Sequence, residues 1–162
     1  MNETITIDAF SRKSIVQAKD RLTKISKKVG SGSHEAVKNL TLAGYEYMKS
    51  IAPVFTGELA GSITWEYDES TNTGRIIVGS GYALYVEYGT GIVGASRPHP
   101  EPAPGWTYDS NGHGEKGWTY WDEKAQKYRW TKGQPASAFV YRTREYMKSI
   151  AGETLKVSMG NA

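Results

Sequence analysis

A chain of 162 residues with 38% hydrophobic content fits one domain with a core of its own. It has no cysteine, which excludes disulfides, thiolate metal sites and a cysteine nucleophile. The net charge of +3 is unevenly spread: residues 1–50 hold nine Lys/Arg against five Asp/Glu, residues 51–92 one against five, and residues 93–162 ten against seven. Basic ends and an acidic middle can attract each other between copies.

The amino terminus lacks the basic start and apolar run of a signal peptide, and no stretch approaches the roughly 20 apolar residues of a membrane span. Synthesis in the cytoplasm and no membrane partner are the expectations. After a short strand expected at Thr4 to Ile7, Ile15, Ala18, Leu22, Ile25 and Val29 recur in steps of three and four, predicting an amphipathic helix. Gly30-Ser31-Gly32 is expected to break it. Ser33 then serves as an N-cap, and Ala36, Leu40, Ala43, Tyr47 and Ile51 mark a second helix that stops at Pro53.

Gly57 opens a turn, and strands follow at 62–67 and 75–79 around the polar turn Asp68 to Gly74, an antiparallel hairpin. Tyr82 to Tyr88 reads as a short helix or turn packed on that sheet. Within it a lone carboxylate, Glu87, stands among Tyr82, Tyr85, Val86 and Tyr88, which suggests anchoring before chemistry. Residues 92–117 hold most of the prolines and no apolar period, and are expected to form a long loop.

Beyond that loop, Trp118, Tyr120 and Trp121 face Tyr128 and Trp130 across a polar turn, a second hairpin whose rings suit an interface. Stacking on sugars or bases is the alternative use of such rings. Phe139, Thr143, Tyr146, Met147, Ile150, Ala151 and Val157 trace a last helix, with a frayed tail expected from Ser158. The heptapeptide Glu46 to Ala52 recurs at Glu145 to Ala151, which reads as local convergence on a good amphipathic helix rather than a duplicated domain. The fold class is therefore α+β: a small antiparallel sheet against two or three helices, with residues 92–133 as a loop and hairpin insertion in a single domain.

Chemistry finds little support. Gly89-Thr90-Gly91-Ile92-Val93-Gly94 matches GxGxxG, but Arg97-Pro98 and Pro100 leave no room for the long helix that receives a pyrophosphate, so a glycine hinge is expected. His34, His99 and His113 lack the spacing of a zinc pair and are expected in exposed loops, although Asp109, His113 and Glu115 lie close together. No serine occupies a GxSxG elbow. No cofactor, metal site or catalytic residue is assigned.

Ala52, Pro53, Thr56, Gly57 and Leu59, followed by Ser62 and Ile63, form a run Ala-Pro-x-x-Thr-Gly-x-Leu then Ser-Ile; Tyr82, Ala83, Glu87, Gly89 and Thr90 form Tyr-Ala-x-x-x-Glu-x-Gly-Thr; Thr131, Gly133 and Phe139 follow. In these motifs the chain resembles the tailed-phage neck family founded on gene product ten of the Hong Kong 97 phage, whose members serve as head-tail connector, tail-completion or minor structural proteins. The family has Pro before that Phe and Pro-Ala after it, whereas this chain has Ala138, Arg142 and Thr143. The resemblance implies a structural protein without turnover. Its partners would be further copies in a ring, expected to be a hexamer, and the connector and tail-tube or tail-terminator proteins, with packaged DNA passing through. It also implies that Glu87 fixes the Gly89 to Gly94 loop by accepting backbone hydrogen bonds. The rival reading is a nucleic-acid module that uses the basic first helix and the Trp/Tyr hairpin.

Overall fold

Arg12–Ile51 form one helix, α1, of 40 residues in the computed structural model, which describes residues 12–54, 57–109, 112–113, 116–122 and 125–161. The strand expected at Thr4 to Ile7 lies outside the described residues. The break expected at Gly30-Ser31-Gly32 does not occur. Two glycines cost a helix about 1 kcal/mol each relative to alanine, but the next turn is held from outside. Asn72 Nδ2 donates to Ser33 Oγ at 3.2 Å, and Tyr67 Oη lies 2.9 Å from His34 Nδ1. Tertiary contacts therefore carry the helix through. The helix ends where expected, at Ile51, because Pro53 cannot continue it.

Past the short helix α2, Glu58–Gly61, strands β1, Ile63–Asp68, and β2, Thr73–Val78, pair antiparallel with Ile63 opposite Val78 and Asp68 opposite Thr73. Ile63, Trp65 and Tyr67 share one face with Val78 and Ile76, and that face lies on α1. The approach is close: a Cβ at Gly74 would run into the Thr41 side chain. The turn is set by Asp68, whose Oδ1 accepts from the Ser70 amide and hydroxyl at 2.9 and 2.7 Å and whose Oδ2 accepts from Thr71 at 2.8 Å.

Helix α3, Ala83–Tyr88, follows, and then α4, Gly91–Ser96, which replaces the start of the expected loop and the expected glycine hinge. Strands β3, Trp118–Asp122, and β4, Lys127–Thr131, form the second hairpin. Helix α5, Phe139–Asn161, runs back along α1. The fold is α+β, with five helices and two antiparallel two-stranded sheets among the described residues.

Phe139, wholly buried, packs with Met48, Ala52, Leu59, Ile63 and Val86 in the core, and Met147 sits against Gly44. The two copies of the repeated heptapeptide meet along this contact, with the Tyr47 and Tyr146 rings stacked at 4.2 Å. The expected fraying from Ser158 is not seen either. Helix α5 continues to Asn161 and Ser158 is buried.

Candidate assembly surfaces

The corner after α1 is built from small and rigid residues. Pro53 stops the helix, Gly57 turns the chain at φ 82°, and Leu59 and Ile63 return it into the core. Ser62 locks the corner: its hydroxyl donates to Leu59 O at 2.8 Å and accepts from the Ser80 amide at 3.1 Å. Tyr82 and Ala83 pack against the same core. Thr56 lies outside the described residues.

Glu87 is 5% exposed, and both of its carboxylate oxygens are used. Oε2 accepts from the Val140 amide at 2.8 Å, and Oε1 accepts from the Tyr141 amide at 3.0 Å. These are orphan N–H groups of the first turn of α5, where a carboxylate also meets the positive end of the helix dipole. Glu87 therefore anchors α5 and not the Gly89 to Gly94 segment, which is a correction to the expected role. Its third partner corrects another expectation. His99, expected in an exposed loop, is buried with Nε2 2.9 Å from Glu87 Oε1. The Glu101 amide donates to His99 Nδ1, so the ring proton sits on Nε2 and points at the carboxylate.

Tyr88 and Tyr141 close over His99, and Trp106 packs on Tyr85 and Tyr88, so the Pro-rich stretch folds back onto α3. The sequence holds one hint of this. His99 and Trp106 are the bulky residues among the prolines and glycines of 98–106.

Gly89 and Thr90 form a seam with the segment before α5. Thr90 and Gln134 exchange backbone hydrogen bonds at 2.9 and 3.1 Å. Gly89, at φ 81°, lies so close to that segment that a Cβ would stand 2.7 Å from the Ala136 nitrogen. Ala138 then enters α5 at φ 50°, a conformation closed to proline.

The second hairpin has two unlike faces. On one, Trp118 stacks on His113 at 5.5 Å and lies over Gly91, while Asp122, buried, pairs with Arg129 at 2.6 Å. Tyr120 points the same way at the rim. On the other face the register brings together Trp121, Tyr128 and Trp130. Tyr128 is 72% and Trp130 59% exposed, and Trp121 meets Tyr128 edge-on at 5.1 Å. Half of the hairpin thus lies on its own body and half presents three rings outward.

Of the other histidines, His34 is half-buried on α1 against Tyr67, not in a loop, and His113 is exposed as expected. Asp109 Oδ1 accepts from the His113 amide at 2.8 Å beside a cavity of about 210 Å³; Glu115 lies outside the described residues. No group of three or more His, Asp or Glu placed to hold a metal occurs among the described residues. None of the described helices is long and apolar enough to cross a membrane. Comparison of the chain with protein-family models, curated proteins and solved structures gives no match.

Proposed function

We propose that this chain is a structural subunit of a tailed-phage neck, a tail-completion or head-tail joining protein. In this reading it assembles as a hexameric ring between the connector and the tail tube, without catalytic turnover, and is made in the host cytoplasm before entering the virion. One observation carries the reading. The three motif segments behind the resemblance converge on a single unit, in which Leu59, Val86 and Phe139 share one core and Glu87 holds the first turn of α5. Residues that build one junction across more than 80 positions are those a shared fold would require.

The Trp121, Tyr128 and Trp130 face is the candidate contact with a neck or tail partner, since exposed aromatic rings supply much of the energy of protein interfaces. Purified protein mixed with isolated heads and tails is the test, with joined particles counted by electron microscopy. Serine at all three positions is expected to abolish joining while the melting temperature stays within a few degrees. Joining that survives the triple variant removes the aromatic face from the account.

A nucleic-acid module is the second reading, favoured by the exposed Lys19, Arg21, Lys24, Lys27 and Lys28 on α1. It predicts a steep loss of DNA affinity with added salt, and no binding at low salt dismisses it.

A further inference from the structure

Gly91 and Gly94 each lie beneath an aromatic ring. A Cβ at Gly91 would stand 2.9 Å from Trp118 Cζ3, and one at Gly94 would stand 2.9 Å from Tyr108 Cδ1. The Gly91 amide also donates to the Tyr108 carbonyl. The glycines of α4 therefore let two rings from separate stretches of chain settle on one short helix.

Those two rings line the cavity of about 210 Å³, together with Tyr85 of α3, Asp109 and His113. Its walls are tied to one another. His113 stacks on Trp118 with ring centroids 5.5 Å apart, and its amide donates to Asp109 Oδ1 at 2.8 Å. Tyr108 and Trp118 are half-buried, whereas Thr107, Asp109 and His113 are exposed and mark the open side.

The electrostatics of this wall have one sign. Aromatic faces are negative, Asp109 adds a carboxylate, and no Lys or Arg lines the cavity among the described residues. We propose that the cavity binds an organic cation, an ammonium or guanidinium group, with its charge beside Asp109 and its carbon substituents against Tyr85, Tyr108 and Trp118. An anion is repelled there, and a neutral molecule gains nothing from the carboxylate's charge. The volume suits a head group or the end of a side chain, since pockets for larger ligands run from about 300 Å³ upward. A free amine and a Lys or Arg of a partner offer the same chemistry. The site stands independently of the ring reading.

Calorimetric titration with choline and with methylguanidinium at low salt is the test, set against the neutral isostere of choline in which a quaternary carbon replaces the nitrogen. The expected result is saturable binding of both cations, weakened by added salt, and at least tenfold weaker binding of the isostere. Asp109→Asn keeps an oxygen for the His113 amide and removes the charge. It is expected to lower cation affinity about tenfold with an unchanged circular dichroism melt. Thr107→Trp sets a bulky side chain on the open side and is expected to abolish binding by filling the cavity. Equal binding of choline and its isostere overturns the proposal, as does cation binding unchanged by both variants, or no cation binding at all. Blocked Gly-Lys-Gly and Gly-Arg-Gly tripeptides separate the sources. Binding at least as tight as that of the free cations assigns the site to a partner's side chain, and weaker or no binding assigns it to a free amine.

Discussion

Glu87 carries three hydrogen bonds from inside the protein, two of them from backbone groups that open a helix. Removing the carboxylate leaves buried donors without a partner, at about 1–3 kcal/mol for each. Glu87→Ala is expected to lower unfolding stability by about 3 kcal/mol or more, and Glu87→Gln by less, read from urea melts. Equal and small losses for the two would mean that α5 does not depend on this anchor. The sequence marked Glu87 as an anchor because an acid among aromatic residues must be paired, but could not name its partners. Val140 and Tyr141 lie more than 50 positions away and offer only backbone, which leaves no trace in side-chain pattern. Asp68 makes a separate prediction. Hydrogen bonds from the Ser70 and Thr71 side chains hold its carboxyl down to about 2 from an ordinary 3.8. A depressed folded value stabilises above the unfolded one, so the contribution is complete above about pH 4 and is lost as the pH falls toward 2. The stability gap between the wild type and Asp68→Ala is expected to close across that window, and a gap constant from pH 7 to 2 contradicts it.

Helices and strands that announce themselves by period were legible: the stop at Pro53, both hairpins and the last helix. The elements misread are those in which contact overrides local preference. Gly30, Ser31 and Gly32 suggest a break, yet α1 passes through them because the β1–β2 turn grips Ser33 and His34. A Cβ at Gly30 meets nothing within 4 Å, so Gly30→Ala should gain about 1 kcal/mol from helix propensity alone. A loss on that substitution, measured by thermal melting, would mean that the break is used in the native state. The stretch 92–117 was misread for the opposite reason. Its prolines and glycines hide α4, and no local pattern connects the buried His99 to Tyr88 and Tyr141 or the half-buried Trp106 to Tyr85 and Tyr88. The repeated heptapeptide is explained at this scale by use, since both copies supply the same α1–α5 contact and stack Tyr47 on Tyr146.

At the scale of the whole molecule, apolar surface among the described residues stands outside the core at Leu22, Ile25 and Val29 of α1, around Pro53 and Val54, in the groove lined by Leu40, Ile76 and Met147, and on the aromatic face of the second hairpin. A chain that leaves such surfaces exposed is suited to contacts on several sides, as the proposed ring subunit set between two other assemblies would require. Which surfaces stay bare was not legible in the sequence, because seam residues that pack and seam residues that face water have the same spacing. In the proposed function these surfaces are covered by copies of this chain and by neck partners. Its most direct test is the mass of the purified protein in solution by light scattering, alone and with the purified tail-tube or connector partner. A species of six times 17.9 kDa, about 107 kDa, alone or on adding the partner, is the predicted result. A 17.9 kDa monomer at all concentrations, indifferent to both partners, contradicts the account.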